Sequence, residues 1–337
     1  MSHNKPGSDR LSWGILSTAR IKRAVIPPVK SSPRHELAAI ASRSQDTAEA
    51  AAQEWGIPRA YASYEALLED TQIDVVYNPL PNSLHAEWTI KACQAGKHVL
   101  CEKPLAVTLE DVDAIIAAAE EAGVHVAEAF MYRHHPQTHF VRELVARGEI
   151  GDLRIVRGAF SFNISNPNDV RLYASLGGGS IWDVGCYPIS FTRYVVGSEP
   201  VEVFGWQQLG EGGVDETFAG QMRFTGEVFA QFDSSFRAPQ RSFMELIGSK
   251  GVLTVPTPFK PGSKETLFLD LGGKVRKIPV KGQDLYLGEV EDMASVILDG
   301  KSPQVDLRES RNNVATILAL LTSSREKTPV RLDEIVS

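Results

Sequence analysis

The first 130 residues alternate short apolar runs with stretches that carry apolar residues at helical spacing. The runs at 11–16, 36–43, 73–78, 98–101 and 124–130 predict strands. The intervening stretches predict helices, several of which end at a glycine, as helices often do. Strands separated by helices of this length indicate a parallel, doubly wound sheet of the Rossmann type.

The pattern changes after residue 130. A helix is predicted over 136–148 and a strand over 153–164, and a glycine-rich turn then leads into a helix that ends near residue 196. Strand-like segments and two closing helices follow, which predicts an α+β domain built on a large, mostly antiparallel, open-faced sheet. The segments are 201–209, 216–224, 227–236, 242–248, 251–255 and 265–280, and the closing helices are 287–299 and 308–323.

The length of the chain indicates how many domains it forms, and its net charge indicates which partners it can bind. With 337 residues the chain is long enough for two domains, predicted at 11–129 and 130–337 behind a polar tail, 1–10, that is disordered or derived from a tag. A net charge of −7 argues against a nucleic-acid surface. The sequence has neither an apolar run long enough for a membrane span nor a signal core, so we expect a cytoplasmic protein without a membrane partner. The three cysteines are expected to be reduced, buried thiols.

The turn after the first strand partly matches the dinucleotide fingerprint G-x-G-x-x-G/A. Gly14 and Ala19 fit the pattern, but Leu16 stands where the second glycine belongs. Small residues matter here because the backbone must approach a pyrophosphate at a helix N-terminus. Ser17 and Thr18 can add hydroxyl donors, so the turn is a candidate phosphate site.

The end of the second strand bears on the choice of cofactor. An acidic residue at this point binds the ribose of NAD, whereas an arginine accommodates the 2′-phosphate of NADP. This chain has Ser42 and Arg43 there, and no acid before Asp46. The pattern favours NADP over NAD, and a simple surface arginine is the alternative.

Three further residues, in two separate stretches, suggest chemistry. Lys103 ends a short apolar strand directly before a proline, where open α/β sheets bind ligands, although a lone Lys-Pro is usually a solvated loop. Asp183 and Tyr187 lie four residues apart on the helix after the glycine turn, so they share one face. His135 and His139 also lie four apart, but no third ligand is evident and no metal site is predicted.

Five motifs in order resemble the Gfo/Idh/MocA oxidoreductases. They are residues 14–19, Pro79-Leu-Pro-Asn-Ser-Leu-His85, Glu102-Lys103-Pro104, Glu128-Ala-Phe-Met-Tyr-Arg133, and Gly177-Gly-Gly with Asp183 and Tyr187. The Ser42-Arg43 pair, and Tyr187 in place of a frequent histidine, resemble the branch with dimeric dihydrodiol dehydrogenase, NADP-dependent D-xylose dehydrogenase and glucose-fructose oxidoreductase. The resemblance implies hydride transfer between NADP and a CH–OH or C=O group of an aldose, a ketosugar or a trans-diol. It also implies a cis Lys103–Pro104 peptide bond.

The resemblance also implies roles for individual residues. Tyr187 is the expected proton carrier, Lys103 favours its phenolate form, and Asp183 orients substrate hydroxyls or the lysine; a related hypothesis makes Lys103 the proton carrier. The implied cofactor residues are Gly14, Ser17, Thr18, Ala19, Ser42, Arg43, Pro79, Leu80, Asn82, His85, Glu102, Lys103 and Arg133. The expected substrate residues are Lys103, Asn163, Arg171, Tyr173, Trp182, Asp183 and Tyr187.

Two other functions fit the same resemblance. One is a dinucleotide-binding regulator without catalysis, and the other is an NAD-dependent glycosidase that returns its hydride. Retention of Lys103, Asp183 and Tyr187 favours an enzyme over a regulator. Because the helices of the second domain suffice for one sheet face only, we also expect a homodimer or homotetramer.

Overall fold

A computed structural model describes residues 9–336 of the chain. The predicted tail lies outside the described residues apart from Asp9 and Arg10, and the Arg10 guanidinium donates to the carbonyl of His35 at 2.8 Å. The described chain divides into two units, the first formed by 9–131 with 286–310 and the second by 132–285 with 311–336. No helix within 9–336 is both long and apolar enough to cross a bilayer.

The first 131 residues alternate strands with helices, as the hydrophobic pattern predicts. A short strand, β3, was not predicted, because three residues are too few to show a strand period. The elements are β1 (Leu11–Leu16), α1 (Lys22–Ser31), β2 (His35–Ala41), α2 (Gln45–Trp55), β3 (Arg59–Tyr61), α3 (Tyr64–Leu68), β4 (Val75–Asn78), α4 (His85–Gln94), β5 (His98–Glu102), α5 (Leu109–Ala122) and β6 (Val126–Ala129).

These strands form a doubly wound sheet. Within the described residues they pair in the order β3-β2-β1-β4-β5-β6, and every neighbouring pair is parallel. The chain reverses direction across the sheet between β1 and β4, and such a switch point leaves a crevice at the carboxyl ends of the strands. The predicted parallel, doubly wound sheet is confirmed.

Helix α1 begins later than predicted and continues through two prolines. The sequence predicts that Ser17 opens the helix, but Ser17 has a φ of +86°, outside the right-handed helical region. Pro27 and Pro28, which are expected to end or kink the helix, lie inside it. Val29 beyond them is buried, so packing of the apolar face outweighs the lost backbone hydrogen bonds.

The remaining residues contain the elements of the second unit and one helix of the first. They are α6 (Pro136–Ala146), β7 (Leu153–Ser161), α7 (Cys186–Val196), β8 (Glu202–Leu209), β9 (Asp215–Arg223), β10 (Phe229–Ser235), β11 (Arg241–Gly248), β12 (Val252–Val255), β13 (Lys264–Leu271), β14 (Lys274–Lys281), α8 (Leu287–Ile297), α9 (Leu307–Glu326), β15 (Val330–Arg331) and α10 (Asp333–Val336).

Helix α8 packs with the first unit. Its Val290 and Met293 lie in the hydrophobic cluster that also contains Leu11 and Trp13 of β1. The sequence places everything after residue 129 in the second domain, whereas the structure groups 286–310 with the first unit. The apolar spacing predicts that a helix forms here but does not identify the sheet that it covers.

The second unit is built on a nine-stranded sheet. Its described strands follow the order β14-β13-β12-β11-β7-β10-β9-β8-β15. The pair β7–β10 is parallel and the other pairs are antiparallel, which confirms the predicted mostly antiparallel sheet. The segment predicted as 265–280 is a hairpin, because Gly272 and Gly273 adopt φ values of 65° and 86° and form a two-residue turn.

Helices α7 and α9 cover one face of this sheet. Gly205 and Gly220 lie opposite each other on β8 and β9. A Cβ atom at Gly205 would lie 2.9 Å from the carbonyl oxygen of Leu320, and one at Gly220 would lie 3.1 Å from its Cδ2 atom, so both glycines make room for α9. Gly158 of β7 likewise makes room for Pro188 of α7.

The opposite face carries no described helix of the second unit. Trp206 and Phe229 point from this face and are 60% and 49% exposed. A shallow crevice of about 290 Å³ lies beside Trp206 and is also lined by Arg157 and Phe243. Within this unit, large apolar side chains are therefore presented on an open sheet surface.

Candidate active site

The turn after β1 is shaped by hydrogen bonds of its own residues. The backbone N–H of Ser17 donates to the carbonyl of Ala41 on β2 at 3.0 Å. The Ser17 hydroxyl accepts from the N–H of Ala19 at 3.2 Å, and the Lys22 ammonium donates to the carbonyl of Thr18 at 3.2 Å. The turn places Ser17, Thr18 and Ala19 at the switch point of the sheet, where a dinucleotide binds in such folds.

Gly14 and Leu16 serve the core beneath this turn. A Cβ atom at Gly14 would lie 2.8 Å from Cδ2 of Leu67 in α3, so a side chain there would collide with that helix. Leu16 is completely buried. The departure from the glycine fingerprint therefore occurs at a residue that packs into the core.

Ser42 and Arg43 follow β2 at the same edge of the sheet. The N–H of Ser42 donates to the carbonyl of Tyr61 at 3.0 Å, and its side chain is buried. Arg43 is exposed and forms no ion pair with the described residues. An exposed guanidinium without a carboxylate partner is suited to bind a phosphate.

Asn78 at the end of β4 is a polar residue in an otherwise apolar strand. It is completely buried. Its amide donates to the carbonyl of His85 at 3.2 Å and to Oγ1 of Thr89 at 3.1 Å, and its Oδ1 accepts from the N–H of Leu80 at 3.3 Å. Asn78 thus ties the predicted cofactor loop 79–82 to α4.

His85 joins this loop to the one that carries Lys103. Its Nδ1 lies 2.7 Å from the carbonyl oxygen of Pro104 and its Nε2 lies 2.7 Å from that of Leu80. Both contacts are hydrogen bonds only if both ring nitrogens carry a proton. Burial lowers the pKa of His85, while the two carbonyls raise it. The Lys103–Pro104 peptide bond is cis, which confirms the implication of the resemblance.

The loop after β5 is fixed by two carboxylates, the partly buried Glu102 and the buried Glu128. Glu102 accepts from the hydroxyl of Tyr77 at 2.5 Å and from the N–H of Lys103 at 3.3 Å. Glu128 accepts from the N–H of Leu105 at 2.9 Å. Burial, and secondly the charge of Glu102, raise the pKa of Tyr77, so Tyr77 remains a donor. The backbone of Lys103 is therefore held from both sides.

In the second unit the glycine turn packs against residues 171–173. A Cβ atom at Gly178 would lie 2.3 Å from the carbonyl oxygen of Arg171. The N–H of Gly179 donates to that oxygen at 2.9 Å. Gly177 and Gly179 have φ values of 70° and 125°, which favour glycine. This close approach explains why the turn is built of glycine.

Asp183 lies in a π-helical turn, Ile181–Gly185, that continues into α7. The sequence predicts a regular helix here, and π-helical turns are frequent at functional sites. Nε of Arg171 donates to Oδ2 of Asp183 at 2.8 Å, and the same guanidinium pairs with Asp169 at 3.2 Å. The charge of Asp183, foremost, raises the pKa of Arg171. Arg171, predicted to contact substrate, therefore lies against the predicted catalytic carboxylate.

Tyr187 is enclosed by aromatic rings and is 5% exposed. Its ring centroid lies 5.4 Å from that of Phe160, 5.5 Å from that of Phe259 and 5.6 Å from that of Tyr132. Sequence reasoning missed this enclosure, because its members are distant in the chain and only Tyr132 lies within a recognised motif.

The other residues predicted to bind cofactor or substrate in this unit differ in exposure. Asn163 is exposed in the loop after β7, and Tyr173 is 39% exposed with its hydroxyl bonded to a backbone carbonyl. Trp182 is buried in the π-helical turn. Arg133 is also buried, and it donates to the hydroxyl of Ser190 at 3.1 Å.

The paired histidines have other partners. Nδ1 of His135 accepts from the N–H of Gln137 at the start of α6, and Nδ1 of His139 lies 2.9 Å from the hydroxyl of Tyr194. Within the described part of the chain, no group of three or more His, Cys, Asp or Glu side chains is placed to hold a metal ion. The three cysteines are buried free thiols, as predicted: Cys93, Cys101 and Cys186.

Known proteins resemble this chain over nearly its whole length. It is 39% identical to D-xylose 1-dehydrogenase (NADP(+)) 2 of Haloferax volcanii over 96% of this chain and 100% of the relative. It is 34% identical to trans-1,2-dihydrobenzene-1,2-diol dehydrogenase of Xenopus laevis over 91% of this chain and 95% of the relative. A 3-ketoreductase of Actinomadura kijaniata, solved in complex with NADP and TDP-benzene, superposes with a TM-score of 0.89 at 29% identity, covering 93% and 98% of the two chains.

Family models match both halves of the chain. The model described as "Oxidoreductase family, NAD-binding Rossmann fold" matches residues 11–130. The model described as "GFO/IDH/MocA C-terminal domain" matches residues 138–254. The order of the motifs, the two sheets and these matches agree, and the chain belongs to the Gfo/Idh/MocA oxidoreductase family.

Proposed function

We propose that the protein transfers a hydride between NADP(H) and a CH–OH or C=O group of a sugar, a ketosugar or a trans-diol. The observation that carries this proposal is the anchored loop of Lys103 at the carboxyl edge of the dinucleotide-binding sheet. The relatives support the reaction class, because they are named as NADP-dependent xylose dehydrogenase and dihydrodiol dehydrogenase.

NADP is the cofactor that this edge of the sheet fits. The turn at Ser17 places backbone amides at the switch point, and Arg43 presents an exposed guanidinium at the end of β2. When bound, NADP accepts or returns the hydride. Arg43 would then bind the 2′-phosphate, and Ser42 lies beside it to contact the ribose.

The protein itself must handle the proton of the substrate hydroxyl. In our proposal Tyr187 takes this proton during oxidation and returns it during reduction. A tyrosine with a pKa of about 10 needs a nearby cation to ionise near neutral pH, and Lys103 is the proposed cation. Asp183, oriented by Arg171, would accept hydrogen bonds from neighbouring substrate hydroxyls.

A panel of aldoses, ketosugars and diols with NADP or NADPH tests the function through the absorbance of NADPH. We expect turnover of at least one substrate class, with Tyr187→Phe reducing kcat by roughly a hundredfold or more, within the range of general acid–base catalysis. If Lys103→Met loses turnover while Tyr187→Phe keeps it, Lys103 is the proton carrier instead. A wild-type protein that binds NADP but turns over no member of the panel would contradict the proposal.

We also propose that the open sheet face of the second unit binds a second copy of the chain. Exposed apolar residues, Trp206 and Phe229, share this face with Arg157 and Glu245, which lie opposite each other on β7 and β11. Such a surface combines apolar contacts with charges of both signs, as protein interfaces do. Sedimentation of Trp206→Arg should show a smaller species than the wild type, whereas a monomeric wild type at micromolar concentration would refute the proposal.

The cytoplasmic location of the protein stays a prediction.

A further inference from the structure

The segment that carries Asp183 and Tyr187 begins at a buried carboxylate from another strand. Asp215 of β9 is 3% exposed. Its Oδ2 accepts from the hydroxyl of Ser180 at 2.6 Å and from the backbone N–H of Ile181 at 2.8 Å. Asp215 therefore binds the first residues of the segment whose later residues are assigned to the chemistry.

The fit between this carboxylate and the glycine turn is tight. A Cβ atom at Gly179 would lie 2.4 Å from Oδ1 of Asp215, so only glycine lets the carboxylate approach. The π-helical turn and α7 then run without a break from Ile181 to Val196. A negative charge at the start of such a segment is stabilised by its exposed N–H groups and dipole.

The charged side chains near this carboxylate form ion pairs with other residues. On β9 Glu216 pairs with Arg237, and on the segment Asp183 pairs with Arg171. The neighbouring strand β10 contributes Ser234, whose hydroxyl lies 3.0 Å from that of Ser180. Burial raises the pKa of Asp215 to about 6, although the hydrogen bonds from Ser180 and Ile181 lower it.

We propose that ionised Asp215 is a positioning residue, which fixes the start of the segment so that Asp183 and Tyr187 are held for the reaction. Protonation of Asp215 removes the charge and weakens both hydrogen bonds, so the segment loosens at mildly acidic pH. This inference rests on the proposed function, because it gives the segment a role through Tyr187. The ordering of the segment by Asp215 is measurable without turnover.

Amide hydrogen exchange over residues 180–187, corrected for the intrinsic effect of pH, tests the ordering directly. In the wild type we expect protection at about pH 7.5 to fall roughly tenfold near pH 5, as a charge-assisted hydrogen bond becomes a neutral one. Asp215→Asn keeps the shape but not the charge, so its protection should be low at both pH values. Asp292→Asn in the first unit is the matched control, because Asp292 is also buried with a raised pKa and accepts from the N–H of Gln304.

A second variant covers the case in which Asp215→Asn fails to fold. Ser180→Ala removes one donor to the carboxylate, so the pH at which protection is lost should move up by roughly half a unit or more. An unchanged midpoint in this variant would overturn the proposal. So would Asp215→Asn with wild-type protection at neutral pH, or an equal effect in Asp292→Asn.

Turnover in the reduction direction supplies the functional readout. Tyr187 is protonated at low pH and acts there as the acid, so it produces no loss of rate on the acid side. With NADPH and a hydroxyaldehyde such as glyceraldehyde, kcat of the wild type should fall below about pH 6. Asp215→Asn should instead show a low kcat without that fall and an unchanged affinity for NADPH. If the wild type does not reduce glyceraldehyde, the assay uses a substrate that the panel shows to be turned over. An unchanged acid limb in Asp215→Asn overturns the inference, whereas a wild type without turnover of any member of the panel counts against the proposed function and leaves the exchange result to decide on Asp215.

Discussion

Replacement of Arg43 by alanine tests how the protein selects its cofactor. Arg43 is exposed and has no ion pair with the described residues, so the substitution removes no salt bridge among them and should leave the fold intact. The 2′-phosphate is the group by which NADP differs from NAD. Loss of this guanidinium should therefore weaken the binding of NADP and leave the binding of NAD unchanged.

The size of the effect follows from the exposure of the site. A hydrogen bond to a charged group contributes about 1.5 to 3 kcal/mol. Exposure to solvent keeps the Arg43 contact toward the lower part of that range, because water and salt screen it. We expect a loss of roughly 1.5 to 2.5 kcal/mol, or about tenfold to a hundredfold in Kd.

Calorimetric titration of both cofactors into the wild type, Arg43→Ala and a control variant measures this selectivity. Arg154→Ala is a suitable control, since Arg154 is also exposed, pairs with the neighbouring Asp152, and belongs to the second unit. The difference between wild type and Arg43→Ala should shrink at high salt. An unchanged Kd for NADP, or an equal loss for NAD, would show that Arg43 does not bind the 2′-phosphate.

Two other predictions concern the first unit. Gly14→Ala places a Cβ atom 2.8 Å from Leu67 and should lower the free energy of unfolding by about 1 to 3 kcal/mol. Because Leu67→Ala frees that space, denaturation of the double variant should show a smaller loss of stability than the sum of the losses of the two single variants. Strictly additive losses would contradict the clash. Burial lowers the pKa of His35 from 6.5 to about 4 despite the raising effect of Glu291. His35 therefore contributes stability that is fully present above pH 6.5 and is lost as the pH falls toward 4, by roughly 3 kcal/mol. In His35→Asn, whose amide oxygen can still accept from Trp13, urea denaturation should show a weaker loss on acidification; the same loss as in the wild type would refute this role.

The sheets could be predicted because their strands are long enough to show a pattern. The parallel sheet follows from apolar runs between helices, and the antiparallel sheet follows from consecutive strand-like segments. The hairpin at Gly272 and Gly273 is not predicted, because apolar residues continue on both sides of the two glycines and indicate one strand over 265–280. The packing of α8 on β1 was not predictable, since apolar spacing shows that a face is buried but not which sheet buries it.

Some residues of the candidate site could also be predicted from the sequence, whereas others could not. Lys103, Asp183 and Tyr187 stand in motifs, so the sequence alone identifies them. The groups that position these residues could not be predicted, because Tyr77, Glu128 and Asp215 act across the fold on residues distant in the chain. Glu128 opens a recognised motif, but the motif does not show that its carboxylate binds the loop of Lys103. Asn78 is a sequence signal for such a supporting group, because it is a polar residue in an apolar strand. Its hydrogen-bond partners, however, are known only from the tertiary structure. His85 is predicted to contact the cofactor, and the structure shows it buried, with each ring nitrogen 2.7 Å from a backbone carbonyl oxygen, of Pro104 and of Leu80.

Transfer of deuterium tests the proposed reaction most directly. A sugar that carries deuterium on the carbon to be oxidised is incubated with the protein and NADP, and the recovered NADPH is analysed by mass spectrometry. We expect one deuterium in the reduced nicotinamide ring for each substrate oxidised, with the transfer strongly reduced in Tyr187→Phe. NADPH without deuterium, or hydrolysis of a glycoside with no net change of the cofactor, would contradict the proposed reaction.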